Sequence, residues 1–495
     1  MRLPLRGTAT VIALFTLTAC GGTAGGDAGG TGELTVAPNW PLVNLDPHSP
    51  RADGATASAG RQIFSRLVTL SDGRYEPDLA TGWQTSPDGR TWTFDLRKNV
   101  KFSDGSALTS ADVVDSVKRI ASLNGPQAAS WADVTPKAPS PDRVVLESTK
   151  PDVSILGKLT ALFVTPAGQA EKEGFFTEPT GSGPFKVQSF KPNERLTLVP
   201  NEHYYGAEPK LRKLVFRTIT EISARVAALR TGEVQAAWGL PDDQLDQLKG
   251  TGEITVKAVP SFAVYTMWFN SGRPAFEDAA VRRALWQAID YDSIISSLYP
   301  RTGRPADSPV PQGVPGHARQ TPVAYDPQAA KAALDKAGFD YSKTYELQFS
   351  GAEFRQFAQA VASDLAKIGV KAEPRDKEKA VFLDDLLGMR WDINLQSLAL
   401  DTGDLAGNLG RLYPCAAKRT GYCNTDLDTV LARAGSTAAA DERNKLWGAA
   451  QKIIWDDAVG MYPMFVNIAY VWRDDVHGLK TSPAFQPDLT GVTVS

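Results

Sequence analysis

Strand-like and helix-like segments alternate along this chain from residue 33 to residue 472. Residues 92–96 place Trp, Phe and Leu on one side, as a half-buried strand does, and residues 109–123 have helical spacing behind a Thr-Ser-Ala-Asp start. Such alternation is typical of α/β proteins. About 460 residues follow the N-terminal segment, more than one hydrophobic core holds, so two or three domains are expected.

The N-terminus has the layout of a secretory signal. Arg2 and Arg6 precede an apolar run over residues 8–16, which is too short for a permanent membrane span, and small residues then lead to Cys20. The ending Leu-Thr-Ala-Cys resembles the lipobox of bacterial lipoproteins. It implies a signal peptide at 1–19 and a lipid on Cys20 that holds the protein on the extracytoplasmic face of the cell membrane. The alternative is an ordinary signal peptide with an incidental cysteine.

The segment that follows the signal predicts a flexible tether. Residues 20–32 are mostly glycine and contain no large apolar side chain that could hold a core. A segment of this composition behaves as a coil of roughly 20 Å mean reach. We expect it to link the lipid anchor to the folded part of the chain. No later segment of the sequence is long and apolar enough for a transmembrane helix.

Charge and composition exclude several classes of function. Lys plus Arg number 53 and Asp plus Glu number 56, so the chain has no basic excess of the kind that nucleic acid binding needs. The sequence has neither a Gly-Lys-Ser/Thr phosphate loop nor a Gly-x-Ser-x-Gly elbow. Its histidines show no metal-ligand spacing: His48, His203, His317 and His477. Neither a metal nor a cofactor is therefore expected.

The chain has three cysteines, and each has a predicted role. With Cys20 assigned to lipid, Cys415 and Cys423 remain as a pair in an oxidising compartment. A disulfide between them would close a short loop and stabilise the fold by roughly 2.5 kcal/mol through loss of chain entropy. Two free thiols are the alternative.

Periodicity also predicts individual elements. Helical spacing predicts one helix over residues 55–68 and one long helix over residues 278–298. Short runs of aromatic and aliphatic residues predict strands over 264–270 and 469–472.

A set of short motifs follows in order along most of residues 33–480. They are Tyr-Glu-Pro-Asp-Leu-Ala at 75–80, Trp-Thr-Phe-Asp-Leu-Arg at 92–97, Val-Lys-Phe-Ser-Asp-Gly at 100–105, Thr-Gly-Ser-Gly-Pro-Phe at 180–185, Val-Arg-Arg-Ala-Leu at 281–285 and Tyr-Asp-Pro at 325–327. The ordered set, rather than any single motif, resembles the peptide/nickel-type (family 5) solute-binding proteins of bacterial ABC importers.

The resemblance implies a two-lobed α/β fold of the periplasmic-binding-protein type with an extra inserted domain. The chain would cross between domains near residues 60, 180, 270 and 475. The expected domains are a discontinuous domain I of residues 33–60, 180–270 and 476–495, an inserted domain II of residues 61–179, and a domain III of residues 271–475.

The resemblance also implies a function without catalysis. The protein would capture a short peptide between two lobes and deliver it to a membrane permease powered by an ATPase, and a monomer is expected. A receptor for chelated nickel, haem or another small polar solute is one alternative. An exported hydrolase with Asp401 and Asp404 as its acidic pair is the other, although nothing in the sequence sets a partner for them.

The same resemblance points to candidate ligand-binding residues. Asp401 matches the loop aspartate that receives a peptide's α-ammonium in dipeptide binders, and Asp404 is the second choice. A peptide enclosed between lobes loses water around its charged ends, so each end needs an opposite charge. Arg355 is the candidate for the carboxylate end, because a guanidinium offers a bidentate fork.

Aromatic residues and one glycine complete the candidates. Trp268, Tyr265, Trp40 and Trp238 are possible walls of the cleft, with Trp268 favoured. Gly183, in a Gly-Ser-Gly-Pro turn, could bring backbone amides close to the ligand. For each aromatic residue, packing in a core is the alternative.

Overall fold

The structure is a computed structural model that describes residues 32–50, 52–71, 73–123, 127–248 and 253–495. The predictions of a signal peptide at 1–19 and a lipid on Cys20 lie outside the described residues, as does nearly all of the linker. Within these ranges, every helix is too short or too polar to cross a bilayer.

Helices and strands alternate as predicted. In the first half of the chain the elements are β1 (Glu33–Ala37), α1 (Gly54–Ile63), β2 (Val68–Ser71), β3 (Arg74–Pro77), β4 (Ala80–Thr85), β5 (Thr91–Leu96), α2 (Ser110–Ser122), α3 (Ala128–Trp131), β6 (Val134–Ser140), β7 (Arg143–Ser148), α4 (Ile155–Thr160), β8 (Phe185–Lys191), β9 (Arg195–Pro200), β10 (Lys213–Arg217), α5 (Ile222–Thr231), β11 (Ala236–Trp238) and α6 (Asp242–Leu245).

In the second half the elements are β12 (Ile254–Phe269), α7 (Ala279–Gln287), α8 (Tyr291–Leu298), β13 (Gly303–Pro305), α9 (Pro327–Lys336), β14 (Thr344–Phe349), α10 (Arg355–Lys367), β15 (Lys371–Asp376), α11 (Lys379–Leu387), β16 (Ile393–Ala399), α12 (Leu405–Leu412), α13 (Thr425–Ser436), α14 (Ala440–Asp456), β17 (Gly460–Arg473), β18 (Val476–His477) and β19 (Thr493–Val494).

One large mixed sheet runs through the molecule. Its strand order is β15-β14-β16-β12-β17-β11-β1-β10-β9-β8, and β13 pairs with β17 beside this path. Strand β1 is parallel to β10 and β11, whereas β12 is antiparallel to both β16 and β17. A separate four-stranded antiparallel sheet has the order β4-β5-β7-β6.

The buried apolar residues form three large hydrophobic cores. Lobe one is built on β1, α1 and β8–β11, with buried Leu34 and Phe216. The inserted unit, residues 67–164, has its own core around the four-stranded sheet, with Phe94 and Trp131 at its centre. Lobe two is built on α7–α14 and β13–β16 and contains the largest core.

The long strands β12 and β17 belong to both lobes. Their pairing runs from Ile254 opposite Arg473 to Pro260 opposite Asn467, shifts register, and resumes with Val264 opposite Phe465. The ends of β17 consequently lie in different cores, and Tyr470 packs in lobe one. The expected domain III contained this residue; the domain bounds as a whole stay a prediction.

Several predicted elements differ in extent from the observed ones. The helix predicted over 55–68 ends at Ile63, because the next residues form the connection into the inserted unit, where Ser65 O accepts a hydrogen bond from Val164 N. The strands predicted over 264–270 and 469–472 are parts of the longer β12 and β17.

The prediction of one continuous helix over 278–298 was wrong. The segment is two helices, α7 and α8, separated at Ala288–Asp290. Asp290 caps α8 by accepting a hydrogen bond from Ser293 N, and its own N–H donates to a carboxylate oxygen of Asp364. Local polar bonding thus interrupts a pattern that is apolar enough to read as continuous.

A disulfide joins Cys415 and Cys423 in lobe two. The loop that it closes lies against the end of β12, because Thr420 O accepts a hydrogen bond of 2.7 Å from Ser271 N. The backbone N–H of Cys415 donates to Asp428, in the first turn of α13.

Candidate functional site

A cavity of about 130 Å³ lies where lobe one, the inserted unit and lobe two meet. Its lining combines residues from all three parts with a C-terminal segment. The lining residues are Pro47, Ala52, Asp53, Ala57, Arg61, Arg66, Leu70, Gln127, Thr160, Ala161, Phe163, Phe262, Asp401, Thr402, Ser482, Pro483, Ala484 and Gln486. Apolar walls with a few converging charges are typical of small-molecule sites.

Asp401 reaches this cavity from a tight turn after β16. The last residue of β16 is paired with Ala263 of β12, and Leu400 N donates a hydrogen bond of 2.8 Å to Phe262 O. The chain then turns, and Gly403 N donates to Leu400 O. Gly403 has a φ of +65°, which glycine tolerates best. The turn therefore holds Asp401 at a defined place on the wall of the cleft.

The carboxylate of Asp401 carries an unbalanced charge. It faces the cavity, yet the surrounding protein removes enough water to raise its pKa to about 6. Among the described residues, no cation forms an ion pair with it and no donor hydrogen-bonds to it. An ammonium group placed in the cavity would supply the missing partner.

Two arginines line the cavity on the side of lobe one. Arg66 is buried, and its Nη1 donates to Thr160 O at 2.9 Å and to Gln486 Oε1 at 3.1 Å. Its guanidinium also lies over the ring of Phe163, 5.2 Å from the ring centre. Burial and the nearby charge of Arg61 lower the pKa of Arg66 to about 10. The cavity thus has an anionic wall in lobe two and a cationic wall in lobe one.

The inserted unit and lobe two touch beside this cavity. The hydroxyl of Tyr75, in β3, donates a hydrogen bond of 3.1 Å to Thr402 O. A Cβ atom added to Gly157 would lie 2.8 Å from Cβ of Asp404 and 3.1 Å from Thr402 O, so the two surfaces are in close contact there. The inserted unit and lobe two are therefore in direct contact beside the cavity.

Asp404 lies in this contact rather than in the cavity lining. It is the N-cap of α12, and its Oδ1 accepts a hydrogen bond from Ala406 N. Burial raises its pKa to about 6, partly offset by hydrogen bonds from the first turn of α12 and by the charge of Lys158. The prediction named Asp401 first and Asp404 second, and the structure brings Asp401 to the cavity.

Arg355, the predicted partner for a ligand carboxylate, is not part of the cavity lining. It is the first residue of α10, and its Nη2 is paired with Asp376 of β15 at 2.8 Å. More than half of its side chain is exposed. Its guanidinium is therefore held in an ion pair on the surface of lobe two.

The predicted aromatic walls lie in cores rather than in the cavity. Trp268 is 1% exposed, and its Nε1 donates to the hydroxyl of Tyr413. Tyr265 packs against Phe354 in lobe two, and Trp238 is buried in lobe one. Residues 261–269 of β12 are all buried, so both of its rings pack in a core, as does Trp238 at the end of β11. Packing in a core is the alternative that the sequence left open.

Trp40 and Gly183 also lie outside the cavity lining. Trp40 is 37% exposed and packs edge-on against Phe485, whose neighbour Ala484 does line the cavity. Gly183 N donates to Ile63 O, and a Cβ at this position would come within 2.8 Å of the backbone at the end of α1. This glycine serves close packing between α1 and the crossover turn.

Sequence reasoning found Asp401 but missed the rest of the cavity lining, including Arg61, Arg66 and the C-terminal segment. In that segment Ser482, Pro483, Ala484 and Gln486 line the cavity, and Pro483 O accepts a hydrogen bond from Phe262 N. These residues follow the last strong strand pattern and have no periodicity of their own. No sequence signal marked them as lining residues.

Metal binding has no support in the described residues. Searching these ranges finds no group of three or more His, Cys, Asp or Glu side chains that could hold a metal ion.

The sequence matches a known family over most of its length. Residues 74–420 match the bacterial extracellular solute-binding proteins, family 5 (middle). The chain belongs to this family. The resemblance seen in the sequence motifs is therefore confirmed.

Similar proteins support the same family and fold. The "Probable D,D-dipeptide-binding periplasmic protein DdpA" of Escherichia coli K12 is 29% identical over 428 residues, covering 83% of either chain. The ABC transporter substrate-binding protein CtaP of Listeria monocytogenes has a TM-score of 0.86 at 22% identity, covering 94% of this chain and 99% of CtaP. DppA from Helicobacter pylori, solved with the peptide STSA, has a TM-score of 0.78 at 24% identity, covering 93% and 98%.

These likenesses confirm the predicted two-lobed α/β fold of this family 5 solute-binding protein. Its relatives are substrate-binding proteins of ABC transporters and periplasmic binding proteins, not enzymes. The family is extracytoplasmic.

Proposed function

We propose that this family 5 solute-binding protein captures a short peptide with a free amino terminus between its lobes. The observation that carries the proposal is Asp401, a carboxylate exposed to the cavity between the lobes, without a cation bound to it among the described residues. A charge removed from water needs a partner, and a peptide's α-ammonium is one of matching sign and size.

The named ligands of similar proteins favour a peptide. The relative DdpA is named for D,D-dipeptides, and the Helicobacter pylori neighbour was solved with a four-residue peptide. Chelated nickel and haem are less favoured for this chain, because neither offers the free ammonium group that would pair with Asp401.

The remainder of the proposal concerns delivery. The protein hands the closed, loaded form to the permease of an ABC importer, and it acts as a monomer tethered outside the cell membrane through Cys20. Closure moves lobe two with its Asp401 turn toward lobe one, and β12 and β17 are the strands that would bend. The closed state is favoured because contacts such as that of Tyr75 with Thr402 O form only there.

Binding by the purified protein tests the proposal. Mass spectrometry of small molecules that copurify, followed by calorimetry with Ala-Ala and with N-acetyl-Ala-Ala, identifies the ligand class. We expect Ala-Ala to be retained without being cleaved and the acetylated form to bind far more weakly, because it has no ammonium group.

The variant Asp401→Asn should weaken binding of free-amine peptides by about 2–5 kcal/mol. Asp292→Asn, an exposed first-turn aspartate of α8, is the matched control and should bind like the wild type. Equal affinity of Asp401→Asn and wild type would remove Asp401 from the site. Turnover of the peptide would contradict the binding function itself.

A further inference from the structure

The two arginines of the cavity form an unusual pair. Arg61, in the last turn of α1, and Arg66 line the same wall, and the charge of Arg61 contributes to the lowered pKa of Arg66. Two like charges at close range repel each other, and the repulsion is stronger where water is excluded. Such a pair is favoured when an anion lies between or beside the two groups.

The side chain of Arg66 is already committed to the protein. Its Nη1 is shared between Thr160 O and Gln486 Oε1, and its face is covered by Phe163. These bonds tie the inserted unit to the C-terminal segment. Arg66 therefore has a structural role.

Arg61 has no such commitment in the part of the chain that the structure describes. No ion pair or hydrogen bond holds its guanidinium there, although the group is only partly exposed. It lines the main cavity and also a second, polar one, whose lining includes Asp78 and Asp488. Its planar fork is available to a carboxylate.

The acidic residues around Arg61 are engaged elsewhere. Asp53, in the main cavity, caps α1 by accepting hydrogen bonds from Ala55 N and Thr56 N. In the second cavity, Asp78 accepts hydrogen bonds from the Tyr205 hydroxyl and from Arg66 N, and Asp488 accepts one from Thr490 N. Asp401 lines the same cavity as Arg61 but forms no ion pair with it.

We infer that Arg61 is the residue that binds the carboxylate end of the ligand. The cavity then has an acceptor for an ammonium group in lobe two, Asp401, and a donor fork for a carboxylate in lobe one, Arg61. A zwitterionic peptide bridges the two lobes. Its ammonium group pairs with Asp401, and its carboxylate pairs with Arg61. The protein selects peptides whose two ends are free, and the carboxylate contact comes from α1 rather than from α10.

This inference rests on the proposed function, and calorimetry with three probes separates the two. The probes are Ala-Ala, its C-terminal amide and N-acetyl-Ala-Ala, titrated into wild type, Arg61→Gln and the control Arg230→Gln, an exposed arginine of α5. Wild type should prefer Ala-Ala over the amide by at least tenfold. Arg61→Gln should lose that preference by weakening Ala-Ala alone, whereas Arg230→Gln should retain it.

The outcomes distinguish the two proposals. If wild type binds Ala-Ala and Arg61→Gln keeps the full preference for the free acid, Arg61 does not contact the carboxylate, while the peptide-binding function stands. Equal weakening of acid and amide by Arg61→Gln also overturns the inference, because it shows a structural effect; circular dichroism checks that the variant is folded. If wild type binds none of the probes, both proposals fall.

Discussion

Asp401 combines accessibility to a ligand with loss of hydration. Its side chain is exposed to the cavity, yet desolvation by the surrounding protein raises its pKa to about 6, and no cation among the described residues opposes this shift. A carboxylate in this state is costly while the cleft is closed without ligand. An arriving ammonium group stabilises the ionised form and draws the pKa of Asp401 back down.

The affinity for free-amine peptides should therefore depend on pH. The ammonium group binds only the ionised carboxylate, so affinity should be constant above about pH 6.5 and fall by up to tenfold per pH unit below about pH 6. A second fall is expected above about pH 8, where the peptide amine loses its proton. Calorimetry in steps of about one pH unit from about pH 4.5 to about pH 9 measures both falls in affinity. The buffers have matched ionic strength.

The variant Asp401→Asn is the control for the acidic limb. It should bind weakly at every pH below 8, with no fall near pH 6. If the acidic limb persists in this variant, the titrating group is another one, and Asp404, whose pKa is also raised to about 6, is the next candidate.

At the scale of elements, the loop closed by Cys415 and Cys423 supports the end of β12. The loop is bonded to Ser271 through Thr420 O, and Cys415 N is bonded to the first turn of α13. The disulfide-closed loop thus connects the end of β12 with the start of α13.

Removing both sulfurs should destabilise lobe two. The double variant Cys415→Ser with Cys423→Ser should lower the free energy of unfolding by about 2.5 kcal/mol, because the unfolded chain regains the entropy of a short open loop. Denaturation by urea, followed by tryptophan fluorescence, measures the difference. Wild type treated with a reducing agent should show the same loss, and identical unfolding of reduced and oxidised protein would contradict the prediction.

For the whole molecule, the proposed closure brings in the contacts between the inserted unit and lobe two. The Tyr75 hydroxyl bonds to Thr402 O in the turn that carries Asp401. Gly157 lies against Asp404 so closely that a side chain there would clash. These contacts couple the position of the Asp401 turn to the closed state.

Replacing Tyr75 should weaken ligand binding without touching the ligand. Tyr75→Phe removes one hydrogen bond that belongs to the closed state, so affinity for Ala-Ala should fall by about 0.5–1.5 kcal/mol. Calorimetry measures the affinity, and small-angle scattering should show less compaction with ligand. Tyr341→Phe, which removes a hydrogen bond to Asp335 within lobe two, is the matched control. Equal affinity of Tyr75→Phe and wild type would mean that this contact does not favour closure.

Much of the fold is readable from local sequence. The Thr109 start predicts α2, and the structure has the reciprocal capping pair of Thr109 with Asp112. The Asp-Gly pair at 88–89 predicts the hairpin between β4 and β5, and Gly89 has a φ of +68°. These features are local, since each depends on residues within one turn or one hairpin.

Tertiary structure decided which residues meet. Asp401 could be proposed from the sequence because it lies in a matched segment, but Arg61 lies far from it in the chain, and only the fold brings both to one cavity. Arg355 and Trp268 had suitable chemistry, yet packing placed one in a surface ion pair and the other in a core.

Sequence by itself determined the alternation of strands and helices and the family, and it predicts export. Those depend on periodicity, composition and ordered motifs, which are carried by neighbouring residues. The shared strands β12 and β17 and the placement of Asp401 and Arg61 in one cavity came only from the tertiary structure. The physical reason is that side-chain periodicity shows whether a face is buried, whereas the orientation of the lobes decides what that face is buried against.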